Sequence, residues 1–436
     1  MFVYLFTVEL DTIAIVVVIR ETYILRVEVV VKRLSLQQNM ILNTCGSMIR
    51  LVCNWLLTVA VVRLSHGFDA AGVLSLSMSV CNMVIPFAEY RLRTIHVTDV
   101  SGERSVGEYL GLRIITMLSS FVGGVVYSAL TCTMTALPVI SMYLVSQLVA
   151  TYLEGLHAVD QRAMRMDYIG ISYALQGVFG LVAFCVALLL TNSLLLAASG
   201  LLAVNVAVGL FWDIPKTRQF CSLRPVIKLR VAANTLVRLF PIVMATVCAS
   251  AVITVPRQYL AVSLGASALG IYSSVASPTT VVQVGAQFIY TPLLGTFAEK
   301  YNKDKRSAKR LIERVVVGIV FVGVACIALF AVFGRFALEL FFGADMADYS
   351  LLLIPAVLCT FVTGFSFFAN DLLIAIRDYA ASLAGNIAAT AVSLLLSVPM
   401  VSVFGMNGVS YCGIAAYGTG AILMLVLLYR DYRRKA

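Results

Sequence analysis

ILNTCGSMIRLVCNWLLTVAVV, residues 41–62, holds 22 residues and a single charge, Arg50. About 20 apolar residues in a helix cross the hydrocarbon core of a bilayer, so this stretch reads as a transmembrane span. Its polar side chains fall on one stripe: Asn43, Ser47, Arg50 and Asn54 recur at helical spacing, with Ile49, Val52 and Leu56 on the opposite face. A charge at membrane depth costs about 2.5–3.5 kcal/mol on insertion scales, so Arg50 needs a partner or water. The stripe therefore predicts a hydrated cavity beside this helix. The alternatives are a structural pair with Glu89 or Asp371, or snorkelling to the membrane edge.

The rest of the chain repeats this pattern. Of 436 residues, 61% are apolar and 12% charged. A soluble domain has about 25% charged residues, so this chain lacks the charge to cover a soluble surface. The expected class is an all-α polytopic membrane protein of about twelve transmembrane helices. The spans are 41–62, 72–90, 111–131, 136–156, 168–190, 193–212, 236–255, 269–292, 315–334, 350–372, 380–403 and 407–429. Small residues at close spacing, as at Gly177–Gly180 and Gly413–Gly420, let such helices approach closely.

Net charge is +10, which in a soluble chain would suggest nucleic acid. Here the basic residues sit in short connections. With twelve spans, 28 Lys and Arg fall on one side and 3 (Arg63, Arg257, Arg335) on the other. The positive-inside rule then places both termini in the cytoplasm and leaves no call for nucleic acid. The basic run Glu299–Arg314 reads as a solvated, inward-holding charge cluster, or as a contact for anionic head groups.

The expected organisation is an N-terminal extension (1–33), an N-lobe of six helices (34–212), a cytoplasmic linker (213–235), a C-lobe of six helices (236–429) and a basic tail (430–436). The extension has no uncharged run long enough to span, so the functional chain is expected to begin near Val31 or Met40. An internal repeat supports the two lobes. Ala71-Gly72-Val73-Leu74-Ser75 opens the second span, and Leu269-Gly270-Ile271-Tyr272-Ser273 opens the eighth. Six helices per half would give both halves the same orientation, as in parallel-repeat transporters.

The remaining polar groups in the spans define the candidate site. Asn82 follows Ser75 and Ser79 on the second span, and Gln283 and Gln287 lie one turn apart on the eighth. They line the same cavity or, alternatively, bond neighbouring helices. Arg257 near the end of the seventh span is an anion contact or an interfacial anchor. Glu89 and Asp371 are candidates for ion coupling, with an Asp371–Arg377 pair as the structural alternative. A cationic cavity suits an anionic cargo, and Arg suits phosphate through its bidentate fork.

The ten Cys form no CxxC motif or Cys/His cluster, and no P-loop, HExxH or similar motif is present, so neither an enzyme nor a cofactor or metal is expected.

From Asn39 to Arg113 the chain resembles the polysaccharide (O-antigen and capsule) flippases of the multidrug/oligosaccharidyl-lipid/polysaccharide exporter superfamily. The residues are Asn43-Thr-Cys-Gly-Ser47, Asp69-Ala-Ala-Gly-Val73, Arg93, Asp99, Tyr109 and Arg113. Pro256-Arg257-Gln-Tyr259, Leu269–Ser273, Pro292-Leu293 and Gly405-Met-Asn-Gly408 continue the resemblance. It implies two six-helix lobes around a central cavity, alternating access, and a bacterial plasma membrane. The implied cargo is an anionic, undecaprenyl-pyrophosphate-linked oligosaccharide, with glycan assembly proteins as neighbours and Arg50 and Arg257 facing the cargo's charge. The rival readings are a multidrug/cation antiporter of the same fold, a polysaccharide polymerase or ligase, and a non-transporting scaffold.

Overall fold

The computed structural model describes residues 35–99 and 104–434. The N-terminal extension and the last two residues of the tail lie outside them. Among the described residues, twelve helices are long and apolar enough to cross a membrane. The first six are α1 (Leu36–Leu64), α2 (Asp69–Glu89), α3 (Val106–Thr131), α4 (Leu137–Arg162), α5 (Met166–Thr191) and α6 (Leu194–Val208). The second six are α7 (Leu229–Leu264), α8a and α8b (Ala266–Ala276 and Thr280–Tyr290), α9 (Lys305–Phe342), α10 (Leu353–Ala375), α11 (Tyr379–Phe404) and α12 (Asn407–Arg434). The structure is two lobes of six helices around a central cavity. One end of the bundle carries the basic connections and is called the basic end below.

Local chemistry sets several boundaries. Ser35 and Gln38 form a reciprocal capping box at the start of α1, satisfying two N–H groups that a helix start leaves free. At the end of α2, Tyr90 and Arg91 both take left-handed backbone, with φ of 46° and 54°, which stops the helix and turns the Arg91 side chain away from its axis. The helix of α6 runs on through a π-turn, Gly209–Asp213, to Thr217. Together with the early start of α7, this leaves only 218–228 non-helical within the segment read as linker. The eighth span is broken rather than continuous. Pro278 lacks an N–H, and the chain turns at 277–279 between α8a and α8b.

Each lobe is held by seams of small residues. A Cβ on Gly46 of α1 would lie 2.0 Å from the Gly170 carbonyl oxygen of α5, so those two backbones touch. Lipid tails are as apolar as Leu, and such close packing is what favours helix association in a membrane. Polar groups inside the lobes are mutually satisfied. Pro256 in α7 leaves the Val252 carbonyl without its helical donor, and the Ser393 hydroxyl of α11 donates to it at 2.7 Å.

The lobes meet mainly where α2 crosses α8a and α7. This crossing unites the two repeated segments seen in the sequence. A Cβ on Gly72 would lie 1.8 Å from the Ala266 carbonyl oxygen, and one on Gly270 would lie 2.2 Å from that of Phe68. Three residues on in each segment, the Ser75 and Ser273 hydroxyls are 2.5 Å apart. At the same end Arg63 donates to the carbonyls of Glu339, Leu340 and Phe341, at 2.6–3.1 Å. Its guanidinium thus caps the negative end of α9. The end opposite the basic connections is therefore closed by contacts between the lobes.

Candidate functional site: a cavity lined mostly by the second lobe

Two adjoining cavities lie on the inner face of the second lobe. The deeper, about 320 Å³, is lined by Asn82, Arg257, Tyr272, Gln283, Thr363 and Tyr417, among others. The second, about 300 Å³, lies nearer the basic end and includes Arg91, Gln287, Asn370, Asp371, Tyr379 and Ser382. They share Ala249, Ser250 and Phe367, so they form one channel along α7. The first lobe contributes only Asn82 and Arg91 to its lining.

The positions of the side chains follow from the helices that carry them. Arg257 succeeds Pro256 in α7, just inside the closed crossing. It forms no ion pair with any described residue, its buried Nε has no hydrogen-bond partner, and its guanidinium lies 5.9 Å from the Tyr272 ring centroid. Desolvating a cation without a carboxylate is costly. The ring contact offsets part of that cost, and a bound anion would offset more; Asn82 and Gln283 line the same cavity. Asp371 accepts from the Tyr290 hydroxyl at 3.0 Å and sits beside Asn370, whose Oδ1 accepts from Ser382 and Asn386. The tyrosine takes the place of the Arg377 partner considered from the sequence.

Of the residues singled out from sequence, Asn82, Arg257 and Gln283 come together in the deep part, and Gln287 and Asp371 in the adjoining part. Glu89 lies at the exposed end of α2; its backbone carbonyl accepts from Arg113 at 2.9 Å. Arg50 and Asn54 do not join this channel. They line a separate pocket of about 30 Å³ inside the first lobe, with Gln147, Gln176 and Asn205. Arg50 is paired with neither Glu89 nor Asp371. It lies 3.5 Å from Glu154 and 4.9 Å from the Tyr173 ring centroid, and its side chain is 25% exposed. Arg93 is also ion-paired with Glu154.

Two features escaped the sequence reading. Arg91 reaches the channel only because the α2 terminus is left-handed. His157 and Asp213, both fully buried, face each other at 3.2 Å, and Ser172 donates to the second Asp213 oxygen at 2.9 Å. Glu154, His157 and Asp160 at three-residue spacing on one side of α4 were the available signal. Among the described residues no cluster of metal-ligating side chains occurs.

The described residues form a twelve-helix, two-lobed bundle closed at one end around an internal channel. No family model matches the chain. The lipid II flippase MurJ in an inward closed conformation superposes with a TM-score of 0.70 at 11% identity, over 90% of this chain and 89% of that one. An inward-facing multidrug resistance MATE family transporter of the MOP superfamily gives 0.66 at 12% identity, over 89% of this chain and 98% of that one. By sequence, the chain is 23% identical over 312 residues to the capsular polysaccharide biosynthesis protein CapF of Staphylococcus aureus, covering 70% of this chain and 76% of that protein. The chain thus has the MOP-superfamily fold, as its sequence resemblance implied, and is a multi-pass membrane protein.

Proposed function

We propose that this protein is a flippase that carries an undecaprenyl-pyrophosphate-linked oligosaccharide across a bacterial plasma membrane for surface polysaccharide synthesis. The observation that carries the reading is the unpaired Arg257 in the deep cavity. The channel is lined by two arginines without ion pairs, Arg91 and Arg257, and one carboxylate, Asp371. That balance favours an anion over a drug cation. The similarity to a capsular polysaccharide biosynthesis protein supports the same cargo class.

In this reading the basic end and both termini face the cytoplasm, where the cargo is made. The sugar enters the channel while the lipid tail stays in the bilayer. The closed α2–α8a crossing then opens as the basic end shuts. Cargo biases this exchange only through different affinity for the two states. Arg50, already shared with Glu154, shapes the first lobe's wall, while Glu89 and Asp371 remain the candidates for ion coupling. Asp371 is also the feature that favours the second reading, a multidrug/cation antiporter.

Purified protein in sealed vesicles separates the two. Expected is leaflet exchange of an undecaprenyl-pyrophosphate-linked oligosaccharide, lost in Arg257→Gln, with no uptake of rhodamine 6G against a proton or sodium gradient. Cation uptake without glycan exchange would overturn the proposal.

A further inference from the structure

Residues 315–334 of α9 are twenty uncharged residues bracketed by Arg314 and Arg335. Twenty residues of helix rise about 30 Å, the thickness of the hydrocarbon core of a bilayer. The two arginines therefore mark the edges of that core, with Arg314 at the basic end. Arg310 lies one turn further out, about 6 Å along the axis. The head-group layer is about 5–8 Å deep on each side, so both guanidinium groups fall at the level of lipid phosphates.

Packing turns them outward. Ala308, Val315 and Ile319 are buried against the second lobe, whereas Arg310, Arg314, Val317 and Phe321 are exposed on the other face of the helix. Of the twelve spans α9 is the least buried, so this face meets lipid along its length. Arg310, Glu313, Arg314 and Val317 line a groove of about 310 Å³, which shares no residue with the channel. The segment leading into the groove is anchored. In the preceding helix, Leu294–Lys303, Phe297 and Tyr301 are buried, and the Tyr301 hydroxyl donates to Asp431 at 2.9 Å.

Charge in the groove is unbalanced, because the acids close in sequence are engaged. Asp304 caps α9 by accepting from the N–H groups of Arg306 and Ser307, and Glu313 lies 3.8 Å from Lys309 in an ion pair. Arg310 and Arg314 have no ion-pair partner among the described residues. Like charges one helical turn apart repel each other, and a phosphate shared between them removes that repulsion. The fork of Arg grips two phosphate oxygens at once. Below the two forks the exposed face becomes apolar at Val317 and Phe321, which suits the acyl chains of a molecule whose phosphate lies above. Basic groups at this depth attract anionic lipid.

We propose that Arg310, Arg314 and Val317 form a binding site for an anionic phospholipid of the leaflet at the basic end. Its phosphate lies between the two guanidinium groups, and an acyl chain follows Val317 and Phe321. A lipid held there fixes the depth of the second lobe at its most exposed helix.

The test measures lipid retention by the full chain in detergent, by native mass spectrometry, with dioleoyl phosphatidylglycerol and dioleoyl phosphatidylcholine as probes. Expected is one phosphatidylglycerol held at least tenfold more tightly than phosphatidylcholine. Arg310→Gln/Arg314→Gln should remove that preference and leave the melting temperature in lipid-free detergent unchanged, while Arg310→Lys/Arg314→Lys keeps part of the preference. Arg430→Gln/Arg433→Gln, which takes the same charge from another part of the basic end, should leave it intact. Equal affinity of the wild type for the two lipids, or equal loss in both glutamine variants, overturns the site. Displacement of phosphatidylglycerol by equimolar undecaprenyl phosphate overturns it too, since the groove would then take a polyprenyl lipid instead.

Discussion

Arg50 and Arg93 of the first lobe and Arg257 of the second are treated in opposite ways. In the first, Arg50 and Arg93 converge on Glu154, and the Tyr173 hydroxyl donates to the same carboxylate at 2.6 Å. In the second, Arg257 faces a cavity with an aromatic ring and no acid. Equal residue types at equal membrane cost thus serve different ends. An arginine paired with a carboxylate organises helices, whereas one left unpaired has its charge available to a cargo. The first lobe's polar network, from Arg50 through Glu154 to His157 and Asp213, is an internal framework. The second lobe supplies most of the channel's lining.

The largest test of this contrast removes the shared acid. Glu154→Gln leaves two half-buried guanidinium groups without a carboxylate, and breaking such a pair costs about 3 kcal/mol. Thermal unfolding in detergent should drop by several degrees. Arg257→Gln, which breaks no ion pair, should leave the melting temperature unchanged or raise it. Equal losses in the two variants would erase the distinction between the lobes.

A smaller effect is expected at the lobe crossing. Gly72→Val and Gly270→Val each force a side chain against a backbone carbonyl, and overpacking of this kind costs about 1–3 kcal/mol. The two should lose similar stability, because the same segment from each half meets its counterpart. A cysteine pair at Ser75 and Ser273 should cross-link in this state and block exchange. Failure to cross-link would mean that the closed end is not held as described.

The smallest effect belongs to the second lobe's internal bonding. Ser393→Ala leaves the Val252 carbonyl beside Pro256 without a donor, a loss of about 0.6–1.7 kcal/mol by analogy with interhelical bonds in membranes. Because Pro256 precedes Arg257, this variant should weaken cargo binding slightly through the position of the guanidinium. Arg257→Lys should show the opposite balance, with binding reduced and stability kept.

The twelve spans were legible in the sequence because each depends on some 20 consecutive residues, and composition alone decides it. That Asn82, Gln283, Gln287 and Arg257 line a cavity was legible for a similar reason, since helical spacing places polar positions on one stripe. Which arginine keeps a free charge was not legible. Glu154 is 104 residues from Arg50, and only the packing of α1, α4 and α5 brings them together. Arg91 was hidden by a left-handed helix end that hydropathy does not report. The break in the eighth span had a local sign, Pro278 between Ser277 and Thr279, which was outweighed by the apolar run on either side.

The reciprocal crossing of Gly72 and Gly270 has a consequence for how this chain can change over generations. Each glycine is the space into which the other half fits, so a larger residue at either position is tolerable only if its twin's surroundings shrink at the same time. The contact therefore couples substitutions in one half to those in the other. Among homologues it should appear as a pair of positions that vary in concert or stay fixed as one.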